Sequence, residues 1–270
     1  AQRKGIKAHF GQLMDLCHLK HSEKSQAWWK YKGRVVFRGD QVRDEAGFYA
    51  VFSEQGTSAS QMAAAKFLDA LGRMPGNSGE HSDAIGAYTQ VSLREGWKLL
   101  GNSSGAYVET WISLPPARRP KDGSWNGIED PVCKLRLNLY GHPLAGLLWE
   151  KHCQAAVFKH GFEKVKGWEC LYKNPAKQLF LSIYVDDFKM AGNAKNISPM
   201  WAKFKQDLNL EDPVPFNNAT YLGCTQKDSP VSQKAVEDKK ELFDRLRKVD
   251  RKLEKLPEQN EPRAKAKAKA

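Results

Sequence analysis

Leu179-Phe180-Leu181-Ser182-Ile183-Tyr184-Val185-Asp186-Asp187 is the stretch on which the reading of this chain turns. A short apolar run ends in two adjacent carboxylates. Acidic side chains on an otherwise buried strand are costly unless something positive neutralises them, and a divalent metal ion is the usual neutraliser. Side chains alternate along a strand, so Leu179, Leu181, Ile183 and Val185 share one face, and Phe180, Ser182, Tyr184 and Asp186 the other. The aliphatic row is expected to face the core and the mixed row a site. This parity favours Asp186 as the direct metal ligand and sends Asp187, at the turn, elsewhere in support unless the hairpin tip twists it back.

Working outward, Asn174-Pro175 reads as a turn between strands Cys170 to Lys173 and Gln178 to Val185, and Phe188 to Ala191 as the return strand of a hairpin tipped by the Asp pair. Strands are expected around Val35-Val36-Phe37, from Tyr107 to Leu114, and from Ala219 to Gln226. Helical spacing marks Ala59 to Leu71 with Gly72 as its stop, Leu144 to His160 with Gly161 beyond, and Ile197 to Leu210. Residues 1–30 read as a mixed lead-in, with Trp28-Trp29 packing as core at the start of a domain over 31–228. Residues 229–262 read as a charged amphipathic helix, with Leu242, Leu246, Val249, Leu253 and Leu256 spaced by four and three. The Ala-Lys alternation of 263–270 reads as a disordered tail.

The 270 residues carry a formal net charge of +12 and a sequence pI near 9.4. An acidic partner is the natural counterpart. Nucleic acid fits better than membrane, because no apolar run approaches the roughly 20 residues of a spanning helix. Cys17, Cys133, Cys153, Cys170 and Cys224 form no C-x-x-C pair and read as reduced, buried thiols of an intracellular protein. His81, His142, His152 and His160 have no ligand spacing and read as structural. The chain shows no signal peptide and begins at Ala1 without Met, which reads as a piece cut from a longer product.

A two-metal site for phosphoryl chemistry needs a further carboxylate from a distant strand. The candidate is Asp83 in His81-Ser82-Asp83-Ala84-Ile85-Gly86-Ala87-Tyr88, which follows the turn Pro75-Gly76-Asn77-Ser78-Gly79 and precedes small residues that let backbone approach a phosphate.

Over roughly residues 28–226 these blocks resemble, in order, the reverse transcriptase of copia-type LTR retrotransposons. Tyr31-Lys32-Gly33-Arg34-Val35-Val36-Phe37-Arg38-Gly39 resembles the family's fingers segment, and Ser82 to Tyr88 its first catalytic block. Val108 to Pro116 is similar to the segment that follows. Val132-Cys133-Lys134-Leu135, Leu139-Tyr140-Gly141 and Trp149 are similar to the helix-opening block. Tyr184-Val185-Asp186-Asp187 matches the second catalytic block and Tyr221-Leu222-Gly223 the closing strand. The resemblance implies an α+β fold, a polymerase palm and fingers with an antiparallel palm sheet backed by helices, followed here by the charged C-terminal helix. It implies an RNA-directed DNA polymerase of a Pol polyprotein that uses two Mg²⁺ ions, with Mn²⁺ as a substitute, and takes dNTPs and an RNA or DNA template-primer. It makes Asp83, Asp186 and Asp187 catalytic, with Asp83 and Asp186 as metal ligands. Lys32 and Arg34 become triphosphate contacts, Tyr88 the steric gate under the sugar and Tyr184 a further substrate contact. Arg38, Arg118 and Arg119 become nucleic-acid contacts. Where the family usually carries a Lys-Gln pair and an Arg in the helix-opening block, this chain has Pro143, Leu144 and Leu147. That departure leaves a second reading open, a nucleic-acid-binding remnant without activity.

Overall fold

The computed structural model describes residues 5–52, 60–101, 107–217 and 220–253. It divides into two compact units, Ala1–Gln226 and Lys227–Ala270. In chain order the first unit begins β1 (Ala8–Lys20), β2 (Lys30–Phe37), α1 (Met62–Gly72), β3 (Asn77–Asp83), α2 (Leu93–Lys98), β4 (Glu109–Ser113) and β5 (Val132–Lys134). It continues with α3 (Ala145–Lys159), β6 (Glu163–Lys164), β7 (Leu171–Asn174), β8 (Leu179–Tyr184), β9 (Asp187–Asn193) and α4 (Ala194–Asp207). Three short strands close it: β10 (Val214–Pro215), β11 (Thr220–Tyr221) and β12 (Cys224–Thr225). The described part of the second unit is one helix, α5 (Gln233–Leu253), whose N-terminus is capped by the Ser232 hydroxyl accepting the Ala235 N–H. Val249, Leu253 and Leu256 of the expected apolar stripe, and the 263–270 tail, lie outside the described side chains. Phe243 and Leu246 are exposed.

The architecture is mixed α+β, with five α-helices and three sheets among the described residues. A six-stranded sheet runs in the order β10-β3-β9-β8-β7-β6, all pairings antiparallel. One face is apolar: Leu179, Leu181, Ile183, Phe188 and Met190 pack with Leu148, Trp149 and Val157 of α3 and with Ile197, Trp201 and Phe204 of α4. Each such side chain, fully buried, contributes about 1.5–3 kcal/mol. The aliphatic row expected of the Leu179 strand is therefore the core row. The opposite face is covered by α1, with Leu68 packed on Ala191, Phe216 and Phe180. A side chain at Gly79 would place its Cβ 2.1 Å from the Phe216 ring, so a glycine is what lets that ring lie on β3.

The four-stranded sheet has the order β2-β1-β4-β5, with β1 antiparallel to β2 and parallel to β4. Residues expected as a mixed lead-in thus form the sheet's long inner strand. Most of β1 is exposed, so its sequence carries no apolar alternation to announce it. Trp28 and Trp29 do not pack as core: they sit in the turn between β1 and β2, 61% and 37% exposed. Where one strand is expected over 219–226, the described residues Thr220–Thr225 form a hairpin, because Leu222 (φ 48) and Gly223 (φ 77) reverse the chain. The turn expected at 75–79 ends earlier, with β3 starting at Asn77. Cys17 and Cys224 are exposed thiols, not buried ones.

Candidate active site

The hairpin that carries the Asp pair differs from its expected parity. β8 stops at Tyr184, which pairs with Asp187, the first residue of β9, and Val185-Asp186 are the two central turn residues. The reason is local: Val185 adopts φ 57, reversing the chain one residue before alternation would carry it to Asp186. Asp187 therefore does not point away. It stands directly opposite Asp83 in the β3–β9 register, and residues opposed in an antiparallel pair project from the same face.

Electrostatics record this crowding. The Asp187 carboxyl is pushed up to about 7 by burial first, then by the negative charges of Asp83 and Asp186, and it hydrogen-bonds Asp83. Asp186 is held through its backbone: its carbonyl accepts the Ala84 N–H at 2.8 Å. The neighbouring buried cation is already engaged, since Lys189 Nζ lies 2.6 Å from Asp69 Oδ1 on α1, beneath the rings of Phe216 and Tyr221 at 4.5 Å each. Close carboxylates without a protein cation share a proton or take a metal ion.

The donor set fits a hard divalent cation. Among the described residues no group of three His, Cys, Asp or Glu side chains is arranged to hold a metal ion by itself. Mg²⁺, however, keeps several waters and is bound through one or two carboxylates plus substrate phosphates rather than in an all-protein cage. Asp83 and Asp187, with Asp186 in the adjoining turn, are such a partial set.

The second component comes from the β1–β2 arm. Its register sets Lys20 opposite Lys30, His18 opposite Lys32 and Leu16 opposite Arg34, so one face of the arm carries a file of basic side chains. Directly opposed like charges destabilise a strand pair, and an anion laid along that face would relieve them. The Lys32 ammonium is lowered by partial burial, then by the Lys20 and Arg34 charges, with Asp186 acting in the opposite sense. The Arg34 guanidinium lies 5.8 Å from the centre of the Tyr140 ring, and the Tyr140 and Tyr88 rings meet at a tilt of 48° with centroids 4.5 Å apart. Burial raises both phenols, Tyr88 next through Tyr140 and then Asp186, and Tyr140 next through Asp186. Lys32, Arg34, Tyr140 and Tyr88 thus lead from the arm to Asp186.

A tight backbone contact fixes the arm there. Phe37 N–H donates to the Tyr140 carbonyl at 2.7 Å, and Gly141 (φ 86) lies so close to Phe37 that an added Cβ would sit 2.1 Å from its carbonyl oxygen. Tyr140 is a site residue that sequence reading quoted but gave no role. Lys20, His18 and Lys30 were equally hidden, since their alignment depends on a turn length that residues alone do not reveal. Tyr184 stands beside Asp187 and is 37% exposed.

Three candidates are engaged elsewhere. Arg38 pairs with Asp40 at 3.1 Å, Arg118 with Asp15 at 2.6 Å, and Arg119 Nε donates to the Leu114 carbonyl at 3.1 Å. Leu144 and Leu147 are core residues, 4% and 8% exposed.

No protein-family model matches the chain. Over 62 residues, 23% of its length, it is 34% identical to the truncated transposon Ty1-A Gag-Pol polyprotein of Saccharomyces cerevisiae. The same figures hold for the Ty1-DR5 and Ty1-LR2 Gag-Pol polyproteins of that yeast. The match spans 5% of the first relative and 3% of the other two. Among solved structures, apo telomerase from Candida tropicalis truncated from its C-terminal domain is loosely similar in backbone. The TM-score is 0.41 at 11% identity, covering 79% of this chain and 52% of that one. The sequence matches support a retrotransposon-related origin for this chain.

Proposed function

We propose that the first unit is the RNA-directed DNA polymerase domain of a copia-type retrotransposon, its six-stranded sheet serving as palm and its four-stranded sheet as fingers. The observation that carries this reading is the register of Asp83 against Asp187, with Asp186 in the adjoining turn. Asp83, Asp186 and Asp187 would hold Mg²⁺, or Mn²⁺ in its place, which when bound supplies the positive charge for activating a primer 3′-hydroxyl and neutralising a triphosphate. Arg34 and Lys32 bind the triphosphate, with the Tyr140 ring under the guanidinium fixing its direction. The Tyr88 ring, packed against Tyr140, lies beneath the sugar and excludes a 2′-hydroxyl. Template and primer meet the basic face of the β1–β2 arm.

The test is primer extension on poly(rA)·oligo(dT) with Mg²⁺ or Mn²⁺. The expected result is dTTP incorporation that disappears in Asp186→Asn; no incorporation by the unmodified protein would overturn the activity. The burial of Leu144 and Leu147 favours one other reading, a remnant that binds nucleic acid without polymerising. It would be recognised by salt-dependent RNA binding with no extension and no metal affinity.

A further inference from the structure

Val185 is a β-branched residue at φ 57, a conformation that such side chains rarely adopt. In the two-residue turn Val185-Asp186 it is the first central residue, and Asp186 is not among the positive-φ residues. That pattern belongs to type II′ turns, whose first central position favours glycine. A strained backbone persists only where its surroundings hold it. Here the holding group is visible. Trp149 of α3, 1% exposed, donates its indole N–H to the Val185 carbonyl at 2.6 Å. On the other side Ala84 N–H donates to the Asp186 carbonyl at 2.8 Å. A cavity of about 30 Å³ lined by Trp149, Ile183 and Val185 leaves space beside the turn, so packing alone does not confine it.

From this geometry we infer that Trp149 is a positioning residue: its indole N–H clamps the strained turn and thereby fixes where Asp186 and Asp187 stand relative to Asp83. The ring fills core and could be replaced by another aromatic; the N–H could not. The catalytic consequence rests on the polymerase reading, whereas the clamp does not.

The discriminating variants are Trp149→Phe, which keeps an aromatic ring and removes the donor, and the double variant with Val185→Gly, which supplies the residue that the turn favours. The first readout is hydrogen exchange at the Ala84 amide, which needs neither metal nor nucleotide. Loss of one hydrogen bond should raise that rate about tenfold in Trp149→Phe, and adding Val185→Gly should return it towards the original. The second readout is Mn²⁺ affinity and the kcat for single-nucleotide incorporation, both expected to fall about tenfold and to recover in the double variant. Unchanged Ala84 exchange in Trp149→Phe would overturn the clamp, as would a double variant that recovers nothing. If exchange responds as expected while the unmodified protein neither binds Mn²⁺ nor incorporates dNTP, the clamp stands and the polymerase reading falls.

Discussion

The molecule carries two antiparallel hairpins of opposite character. In β8–β9 nearly every side chain is enclosed, by α3 and α4 on one face and by α1 on the other. In β1–β2 most side chains stand in solvent, and one face bears Lys20, Lys30, His18, Lys32 and Arg34 without interspersed acids. Enclosure lets the first hairpin hold two carboxylates, Asp186 and Asp187, close to Asp83 of the neighbouring β3 against their mutual repulsion. Exposure lets the second present positive charge to an anion that arrives from outside. A site built from both places its costly electrostatics on the better-supported element.

Removing a carboxylate is the most severe way to break this division. Asp83→Asn is expected to lower nucleotide incorporation about a thousandfold. It should also let the Asp187 carboxyl fall from about 7, since a like charge beside it disappears. Stability at neutral pH should then rise while activity is lost, a pairing measurable by urea titration alongside primer extension.

Packing separates the hairpins next. Leu181 is fully buried and Leu16 is 43% exposed. Leu181→Ala should cost about 3 kcal/mol, whereas Leu16→Ala should stay within about 0.5 kcal/mol, both read from chemical unfolding. Equal losses would erase the contrast.

A third test concerns His142, which sits beneath Phe37 at the root of the arm and is lowered to about 4 by burial, then by the charge of His9. Its Nδ1 accepts the Leu144 N–H at 3.2 Å, so the neutral ring is the folded form. The unfolded chain binds the extra proton near pH 6.5, so this contribution is fully present above that pH and is lost as pH falls towards 4. Urea midpoints of the unmodified protein should therefore drop relative to His142→Gln between pH 6.5 and 4.

The smallest effect lies at the tip of the arm. Lys30→Glu converts the opposed Lys20–Lys30 pair into opposite charges and should stabilise the fold by about 0.5 kcal/mol at low salt. Affinity for single-stranded RNA should weaken in the same variant, which a salt-titrated binding assay would detect.

What could be read from residues alone follows the same division. Leu179, Leu181 and Ile183 announced a core strand because burial on one face writes a period of two into the sequence. Asp83 is legible less from its own surroundings, which suit a turn or helix cap, than from its distance before the Asp pair. The parity of the Asp pair could not be read, since it hinges on one backbone angle at Val185 that no side-chain pattern encodes. The long β1 strand is illegible because an exposed strand has no apolar row, and Trp28 and Trp29, of a residue type that usually forms core, stand in solvent instead. Tyr140 gained its role only when Gly141 brought Phe37 against it.

The pairing of β3 with β9 also governs when the site can exist. Its two strands are separated by more than a third of the chain, and β9 is made only after the other sheet's four strands. Closing such a long loop delays the contact during folding. A growing or clipped chain that ends before Asp186 keeps only Asp83 of the three site aspartates, with no neighbouring carboxylate to crowd it. Assembly of the site thus acts as its own quality control: the crowded carboxylate charge appears only when β9 pairs with β3, and copies lacking that pairing stay electrostatically silent.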